Sequence, residues 1–166
     1  MEFSANEKGF SLIELIIVIM ITAIVATVAY IKWASGPSFA LPSQAELLAD
    51  DLRYAQNLSM SRGQHYQFVF KSPAINKYQI LDSNNNPVTL PSGFLSYTLS
   101  SGITFGAINI SGATNPPRIV FDGLGKPYSD IAATQPLTST ATIALIAGSQ
   151  TKVVNVSDET GRISIP

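Results

Sequence analysis

The apolar run over residues 10–31 constrains the fold of this chain more than any other feature. From Leu15 onward it is softened only by Thr22 and Thr27, and it contains a single carboxylate, Glu14. At about 1.5 Å per residue, roughly 20 helical residues span the ~30 Å hydrocarbon core of a bilayer. The run therefore predicts a membrane-spanning helix. A carboxylate in hydrocarbon costs about 2.5–3.5 kcal/mol, so Glu14 needs a partner or must be neutral.

Two other interpretations of the run stay open, a cleaved secretory signal peptide and a simple signal anchor with Glu14 at the headgroup level. A signal peptide fits poorly, because its apolar core usually has only about 7–15 residues. The flank is also short and mixed in charge, with Glu2, Glu7 and Lys8, and the nearest candidate cleavage site is the segment 34–36.

The segment KGFSLIEL at residues 8–15 resembles the class III leader junction of type IV pilins and type II secretion pseudopilins. The resemblance implies that a prepilin peptidase cleaves between Gly9 and Phe10 and methylates the new amine of Phe10. It also implies that Glu14 pairs with the Phe10 amine of a neighbouring subunit. The expected topology is a single pass through the bacterial inner membrane, with a cytoplasmic N-terminus and a periplasmic C-terminal domain. An inner-membrane platform protein and a cytoplasmic ATPase would drive assembly.

Charge pairing between Glu14 and a neighbouring amine would set the register of an assembly. Each charge is expensive alone in an apolar core, and the two satisfy one another only when subunits stack with a fixed axial offset. Such a head-to-tail contact is heterologous, and a rotation that does not close generates an open helical filament. We therefore expect a filament subunit whose partners are other pilin or pseudopilin subunits.

The resemblance implies the first boundary, and the apolar run and the proline positions give the others, so the chain is expected to have four parts. Residues 1–9 form a leader peptide, and 10–33 form a transmembrane and filament-core helix. Residues 34–42 form a kink or linker, because Pro37 and Pro42 disfavour helix. This joint is either a flexible element of the filament or an ordinary connection. Residues 43–166 form one periplasmic domain, because about 130 residues suffice for one compact core.

The domain is expected to be α+β, with a helix over 43–62 packed on antiparallel sheet. Ser43 and Glu46 have the spacing of a capping box, and Gly63 is a natural stop. Apolar residues recur on one helical face while Asp50 and Asp51 fall largely elsewhere. The apolar face comprises Leu47, Leu48, Leu52, Tyr54, Ala55 and Leu58. Alternating patterns then predict strands at 64–70, 77–81, 94–99, 103–108, 118–121, 138–146, 152–156 and 162–165.

The order of leader, anchor, helix and strand resembles the GspH/FimT group of minor pilins and pseudopilins. The segments 119–127 and 156–163 are similar to the C-terminal half of that group. Some FimT-like members bind DNA through a Gly-Arg-x-Arg motif, and the matching positions here are Gly161, Arg162, Ile163 and Ser164. Because Ser164 replaces the second arginine, half of the phosphate-binding charge is missing. We interpret Arg162 chiefly as a turn residue, with DNA binding as the alternative.

Composition argues against other function classes. A formal net charge of −1 provides no general attraction to nucleic acid. Cysteine is absent, and His65 is the single histidine, so the ingredients of nucleophilic triads and zinc sites are missing. The loop 82–86 has alternate oxygen ligands, but Pro87 stands where a calcium loop needs glycine, which favours a hairpin turn. We expect a non-enzymatic minor subunit without cofactor or metal, which primes or caps a type IV pilus or a type II secretion pseudopilus.

Overall fold

The computed structural model describes residues 11–34, 37–71 and 76–166. Gly9 and Phe10, the predicted cleavage and methylation positions, lie outside the described residues, as does the leader at 1–9. The chain divides into two compact units, residues 1–36 and residues 37–166. The first unit contains helix α1, Leu12–Ala34. Within the described part of the chain, no helix combines the length and apolarity that crossing a membrane requires.

The second unit begins with helix α2, Pro37–Arg62. The prediction placed the start at Ser43, so the helix begins six residues earlier, and the expected linker at 34–42 is helical from Pro37 onward. Ser43 is not a cap: its hydroxyl donates to the carbonyl of Ala40 at 2.8 Å within the helix. The early start is stabilised by tertiary packing, because Leu41 and Ala45 are fully buried.

Within residues 66–71 and 76–166, ten strands follow α2, and they form two antiparallel sheets. The first sheet has the order β3-β2-β1-β6-β7, with β4 also paired to β2, and the second has the order β10-β9-β8-β5. The strands are β1 Tyr66–Lys71, β2 Lys77–Leu81, β3 Pro87–Val88, β4 Tyr97–Thr98, β5 Thr104–Asn109, β6 Arg118–Phe121, β7 Pro127–Tyr128, β8 Ala141–Ala147, β9 Gln150–Val156 and β10 Ile163–Ser164. The predicted α+β class and antiparallel pairing are confirmed.

All eight predicted strands are present, some of them shorter than predicted. The segment predicted at 94–99 pairs only over Tyr97–Thr98, and the one predicted at 138–146 begins at Ala141. Two short strands, Pro87–Val88 and Pro127–Tyr128, were not predicted. Both begin with proline, which lacks the N–H that an internal strand needs. Strand propensity therefore does not predict a short strand at either position.

Helix α2 packs on strands of both sheets, and the core lies beneath it. Its buried side chains meet the aromatic rows of β1 and β2, where the ring of Phe68 stacks on that of Tyr78 with centroids 5.0 Å apart. Ile143 and Leu145 of β8 close the core from the second sheet. The predicted helix face needs one correction, because Asp51 is buried while Leu47, Tyr54 and Leu58 are only half-buried.

Candidate assembly interface

Over residues 12–27, helix α1 exposes its apolar side chains all round. Every side chain over residues 11–27 is exposed in the single chain, including Leu12 at 76% and Ile24 at 65%. A soluble monomer rarely leaves so large a contiguous apolar surface in water. A helix that is apolar on every side is normally buried, either in lipid or among other helices. The surface of α1 therefore requires an apolar partner.

The two threonines of α1 do not disturb this surface. The hydroxyl of Thr22 donates to the carbonyl of Val18 at 2.6 Å, and that of Thr27 donates to the carbonyl of Ala23 at 2.8 Å. Both donors are thus satisfied within the helix itself, as an apolar surrounding demands. Over residues 12–27 Glu14 is the only charged side chain.

Glu14 lies in the first turn of α1, where its side chain is exposed. It is the third residue of the helix, and Ser11 immediately precedes the helix. This is the spacing of a capping box, in which a glutamate at the third position accepts from the backbone N–H of the capping residue. A negative charge there also interacts favourably with the helix dipole. The spacing therefore allows Glu14 to cap its own helix, and its carboxylate is exposed.

Arg162 is exposed in the turn that joins β9 to β10. The backbone N–H of Ser157 donates to the carbonyl of Arg162 at 3.0 Å and closes this turn. The position agrees with our interpretation of Arg162 as a turn residue. Asp158 and Glu159 lie in the same turn. The turn therefore contains one arginine and two carboxylate residues in sequence, and the carboxylate of Asp158 accepts from the hydroxyl of Thr140 at 3.4 Å.

The loop after β2 is a hairpin turn built around Asp82. One oxygen of its carboxylate accepts from the backbone N–H of Asn84 at 2.9 Å and from that of Asn86 at 2.8 Å. These hydrogen bonds to Asn86 and Asn84 hold the pKa of Asp82 below its usual range. The carboxylate closes the turn between β2 and β3, as the hairpin interpretation expected.

The structure does not bring His65 into a group of metal-binding side chains among the described residues. His65 is half-buried immediately before β1. Across residues 11–34, 37–71 and 76–166, no group of three or more His, Cys, Asp or Glu side chains is placed to hold a metal ion.

A buried hydrogen-bonded pair in the second unit, an aspartate and a tyrosine, was not predicted from the sequence. The hydroxyl of Tyr78 on β2 donates to the carboxylate of Asp51 on α2 at 2.6 Å. Burial is the main cause that raises the pKa of Asp51, while the hydrogen bond from Tyr78 lowers it in part. Helical spacing offered a signal, because Asp51 follows Leu48 by three residues and precedes Ala55 by four. It therefore shares their face.

A second polar contact fixes α2 to the loops at one end of the sheets. The side-chain amide of Gln56 donates to the carbonyl of Gly125 at 2.9 Å and to that of Thr160 at 3.1 Å. Arg53, one turn earlier, donates to the carbonyl of Ile163 at 3.3 Å. The turn that carries Arg162 is thus held against α2 rather than projecting as a free arm.

Comparison with known proteins places these features in context. Residues 4–30 match the prokaryotic N-terminal methylation motif, and residues 44–160 match the family described as type II transport protein GspH. No curated protein sequence matches the chain significantly.

Two solved structures share the fold. The type IV minor pilin FimU of Pseudomonas aeruginosa strain PAO1 superposes with a TM-score of 0.55 at 16% identity, covering 78% of this chain and 90% of that chain. The minor pseudopilin EpsH from the Type 2 Secretion System of Vibrio cholerae superposes with a TM-score of 0.54 at 12% identity. That match covers 76% of this chain and 95% of that chain.

Proposed function

The chain belongs to the type II transport protein GspH family and is a minor pilin or pseudopilin subunit, and from this premise we propose that it primes or caps a filament. The filament is a type IV pilus or a type II secretion pseudopilus. The role is structural and not catalytic. The observation that carries the proposal is the part of α1 over residues 12–27, which is apolar and exposed on every side and has a single carboxylate in its first turn.

The apolar run supports a location of the subunit in the inner membrane before assembly. By its sequence, the apolar run over residues 10–31, which begins before the described residues, is long enough to span a bilayer. On this basis the subunit waits in the inner membrane with its N-terminus in the cytoplasm and the 37–166 unit in the periplasm. Prepilin peptidase cleaves after Gly9 and methylates the amine of Phe10. The match of residues 4–30 to the methylation motif supports this processing.

Assembly transfers α1 from lipid into a core of neighbouring helices. The apolar surface of α1 is equally satisfied in either environment, so hydrophobic burial alone does not fix the axial position. The carboxylate of Glu14 fixes it by pairing with the amine of Phe10 on the next subunit, because an unpaired charge in that core is strongly unfavourable. The partners are therefore other pilin or pseudopilin subunits, with the platform protein and the ATPase acting from the membrane and the cytoplasm.

Glu14→Gln separates the pairing role of Glu14 from its capping role. Glutamine serves at the third position of a capping box as glutamate does, but it carries no charge. We expect the Glu14→Gln subunit to be processed normally and to enter filaments at least about tenfold less than wild type, because the amine then lacks its partner. The measurement is the amount of this subunit in sheared filaments relative to the main filament subunit.

Glu46→Gln is the matched control, because Glu46 is exposed on α2 and the substitution is the same. Ser11→Ala tests the capping role separately. If the Glu14→Gln subunit enters filaments as well as wild type does, the proposed pairing is overturned. If Ser11→Ala reduces incorporation and Glu14→Gln does not, the role of Glu14 is capping.

Processing is tested by the intact mass and N-terminal fragments of the protein extracted from native membranes. We expect a chain that begins at N-methylated Phe10. A chain that still begins at Met1, or one cut after the apolar run, would overturn the filament proposal.

DNA binding is the second candidate, and the exposure of Arg162 favours it. Because Asp158 and Glu159 share its turn, we place it below the structural role. Its test is the retention of duplex DNA on a gel at increasing salt, since phosphate contacts weaken steeply with ionic strength. Loss of retention in Arg162→Ala would support this candidate, and no retention by the wild-type protein at low salt would remove it.

A further inference from the structure

An uncharged cleft of about 350 Å³ opens in the second unit, between the loop after β5 and the loop after β7. Its polar lining consists of Ser111 from the first loop and Ser129, Thr134, Gln135 and Thr138 from the second. All five are neutral. The volume falls at the lower end of the range of about 300–1,000 Å³ that small-molecule sites occupy.

Three backbone donors around this cleft are already used within the protein. The N–H of Ser129 donates to the carbonyl of Gln135 at 3.0 Å, and the N–H of Thr138 donates to the hydroxyl oxygen of Ser111 at 2.9 Å. The N–H of Gln135 donates to the carboxylate of Asp130 at 2.7 Å. An extended peptide binds by pairing with free backbone groups of a strand edge. These three donors are therefore unavailable to an extended peptide.

Side-chain groups remain free to contact a ligand. The carboxamide of Gln135 and the hydroxyl of Thr138 line the cleft on exposed side chains. The hydroxyl of Ser111 accepts from a backbone N–H and keeps its own proton to donate. The hydroxyl of Thr134 donates to Asp130 at 2.8 Å and keeps its lone pairs to accept. The lining therefore offers donors and acceptors together, without a charge.

Gly112 keeps the cleft open. Its φ of +69° is the left-handed conformation that favours glycine. A Cβ at this position would lie 2.9 Å from the hydroxyl oxygen of Ser129 and 3.7 Å from the carboxamide oxygen of Gln135. Any side chain at residue 112 would therefore enter the space between the two loops. Pro136 contributes an apolar ring to the same lining.

We propose that this cleft binds a neutral saccharide. Each sugar hydroxyl both donates and accepts a hydrogen bond, which matches the mixed, uncharged groups of Ser111, Thr134, Gln135 and Thr138. The C–H faces of a sugar ring are apolar and pack against Pro136. No charged side chain lines the cleft, and the neighbouring carboxylate of Asp130 is occupied by the N–H groups of Thr134 and Gln135 and by the hydroxyl of Thr134. The proposal is independent of the filament role, because it uses none of the residues of α1.

The test is an amide-resolved NMR titration of the isotope-labelled full chain in phosphocholine micelles, which avoid sugar-headed detergents. The probes are chitotriose, maltotriose and lactose, each raised to roughly 10 mM, which reaches the millimolar affinities of weak sites. We expect at least one probe to shift the signals of Ser111, Gln135 and Thr138 saturably. Gln135→Ala should weaken that binding about fivefold, the effect of losing one hydrogen bond.

Gln150→Ala is the matched control, because Gln150 is also an exposed glutamine but does not line this cleft. It should leave binding unchanged. Thermal unfolding of both variants checks that the domain stays folded. The absence of saturable shifts with all three probes would overturn the proposal, and so would equal binding by Gln135→Ala and wild type. Shifts produced by an uncharged tripeptide and by no saccharide would assign the cleft to peptides instead.

Discussion

Asp51 is a carboxylate inside an apolar core, and its energetics depend on protonation. Burial raises its pKa above the ordinary value near 3.8, and the nearby charge of Asp50 adds to the rise. A raised pKa in the folded state means that the folded protein holds this proton more tightly than the unfolded chain does. The resulting stabilisation is complete below the unfolded pKa and is lost as the pH rises through the folded pKa.

Asp51→Asn should therefore change stability in a pH-dependent way. Asparagine keeps an acceptor for the hydroxyl of Tyr78 but does not ionise. We expect the variant to gain stability relative to wild type as the pH rises from about 4 to 7. Urea titration followed by near-ultraviolet circular dichroism, which reports the packed tyrosines, measures the difference. A difference between the two proteins that stays constant over this range would contradict the buried, proton-linked role.

Gly161 is a second residue whose identity is fixed by its surroundings. Its φ is +67°, and a Cβ there would collide with the carbonyl oxygen of Gly125 and lie 2.6 Å from the amide nitrogen of Gln56. We expect Gly161→Ala to reduce the free energy of unfolding by roughly 2–4 kcal/mol, since strain and a clash add. Gly148→Ala is the control, because Gly148 has a φ of +59° with no atom within 4 Å of the added Cβ. It should cost only about 1 kcal/mol. Equal losses of stability in the two variants would show that the contact with Gly125 and Gln56 has no energetic importance.

At the scale of elements, helix α2 contains a proline in its interior, Pro42, and the packing of the helix on the sheets compensates for it. Pro42 is the sixth residue of the helix, so its missing N–H leaves the carbonyl of Ser38 without its usual helical donor. The helix forms there because Leu41 and Ala45, on either side, are buried against the sheets. The burial of these side chains thus outweighs the local preference of proline against the interior of a helix.

Pro42→Ala should stabilise the protein. Alanine restores the N–H and removes the steric conflict, so we expect the free energy of unfolding to rise by about 1–3 kcal/mol. Pro37→Ala is the matched control, because proline is well accommodated at the first helical position and the change there should stay within about 0.5 kcal/mol. Thermal unfolding compares the two. No gain for Pro42→Ala would mean that the helix over residues 37–42 contributes little to the fold.

At the scale of the whole molecule, the buried core belongs to the 37–166 unit. The buried hydrophobic side chains run from Leu41 to Ile163, and those of α1 over residues 12–27 are exposed. The second unit therefore has the parts of an independent domain, with a helix packed on two sheets.

A fragment of residues 37–166 should fold alone as a soluble monomer with one cooperative unfolding transition. A fragment of residues 43–166, which starts at the helix boundary expected from sequence, should be less stable by about 2–5 kcal/mol because it lacks the buried Leu41. Circular dichroism and size-exclusion chromatography compare the two fragments. Equal stability of the two fragments would show that residues 37–42 do not stabilise the domain. Aggregation of both fragments would show that the domain does not fold alone.

Local pattern alone determined much of this protein. The apolar run with Glu14, the helix that ends before Gly63 and the alternation of the eight strands are all set by residues close together in the chain. Their periods follow directly from helix and strand geometry. The match to the GspH family rests on the same linear pattern.

Tertiary structure decided what depends on residues distant in the chain. Tyr78 reaches Asp51 across 27 positions, and Gln56 reaches Gly125 across 69 and Thr160 across 104. The cleft between the loops after β5 and β7 likewise exists only once the sheets are formed. Propensity and periodicity describe neighbours in the chain, whereas burial and hydrogen bonding are settled between neighbours in space. For this reason a carboxylate predicted outside the apolar face lies in the core, and a proline predicted to interrupt the helix lies within it.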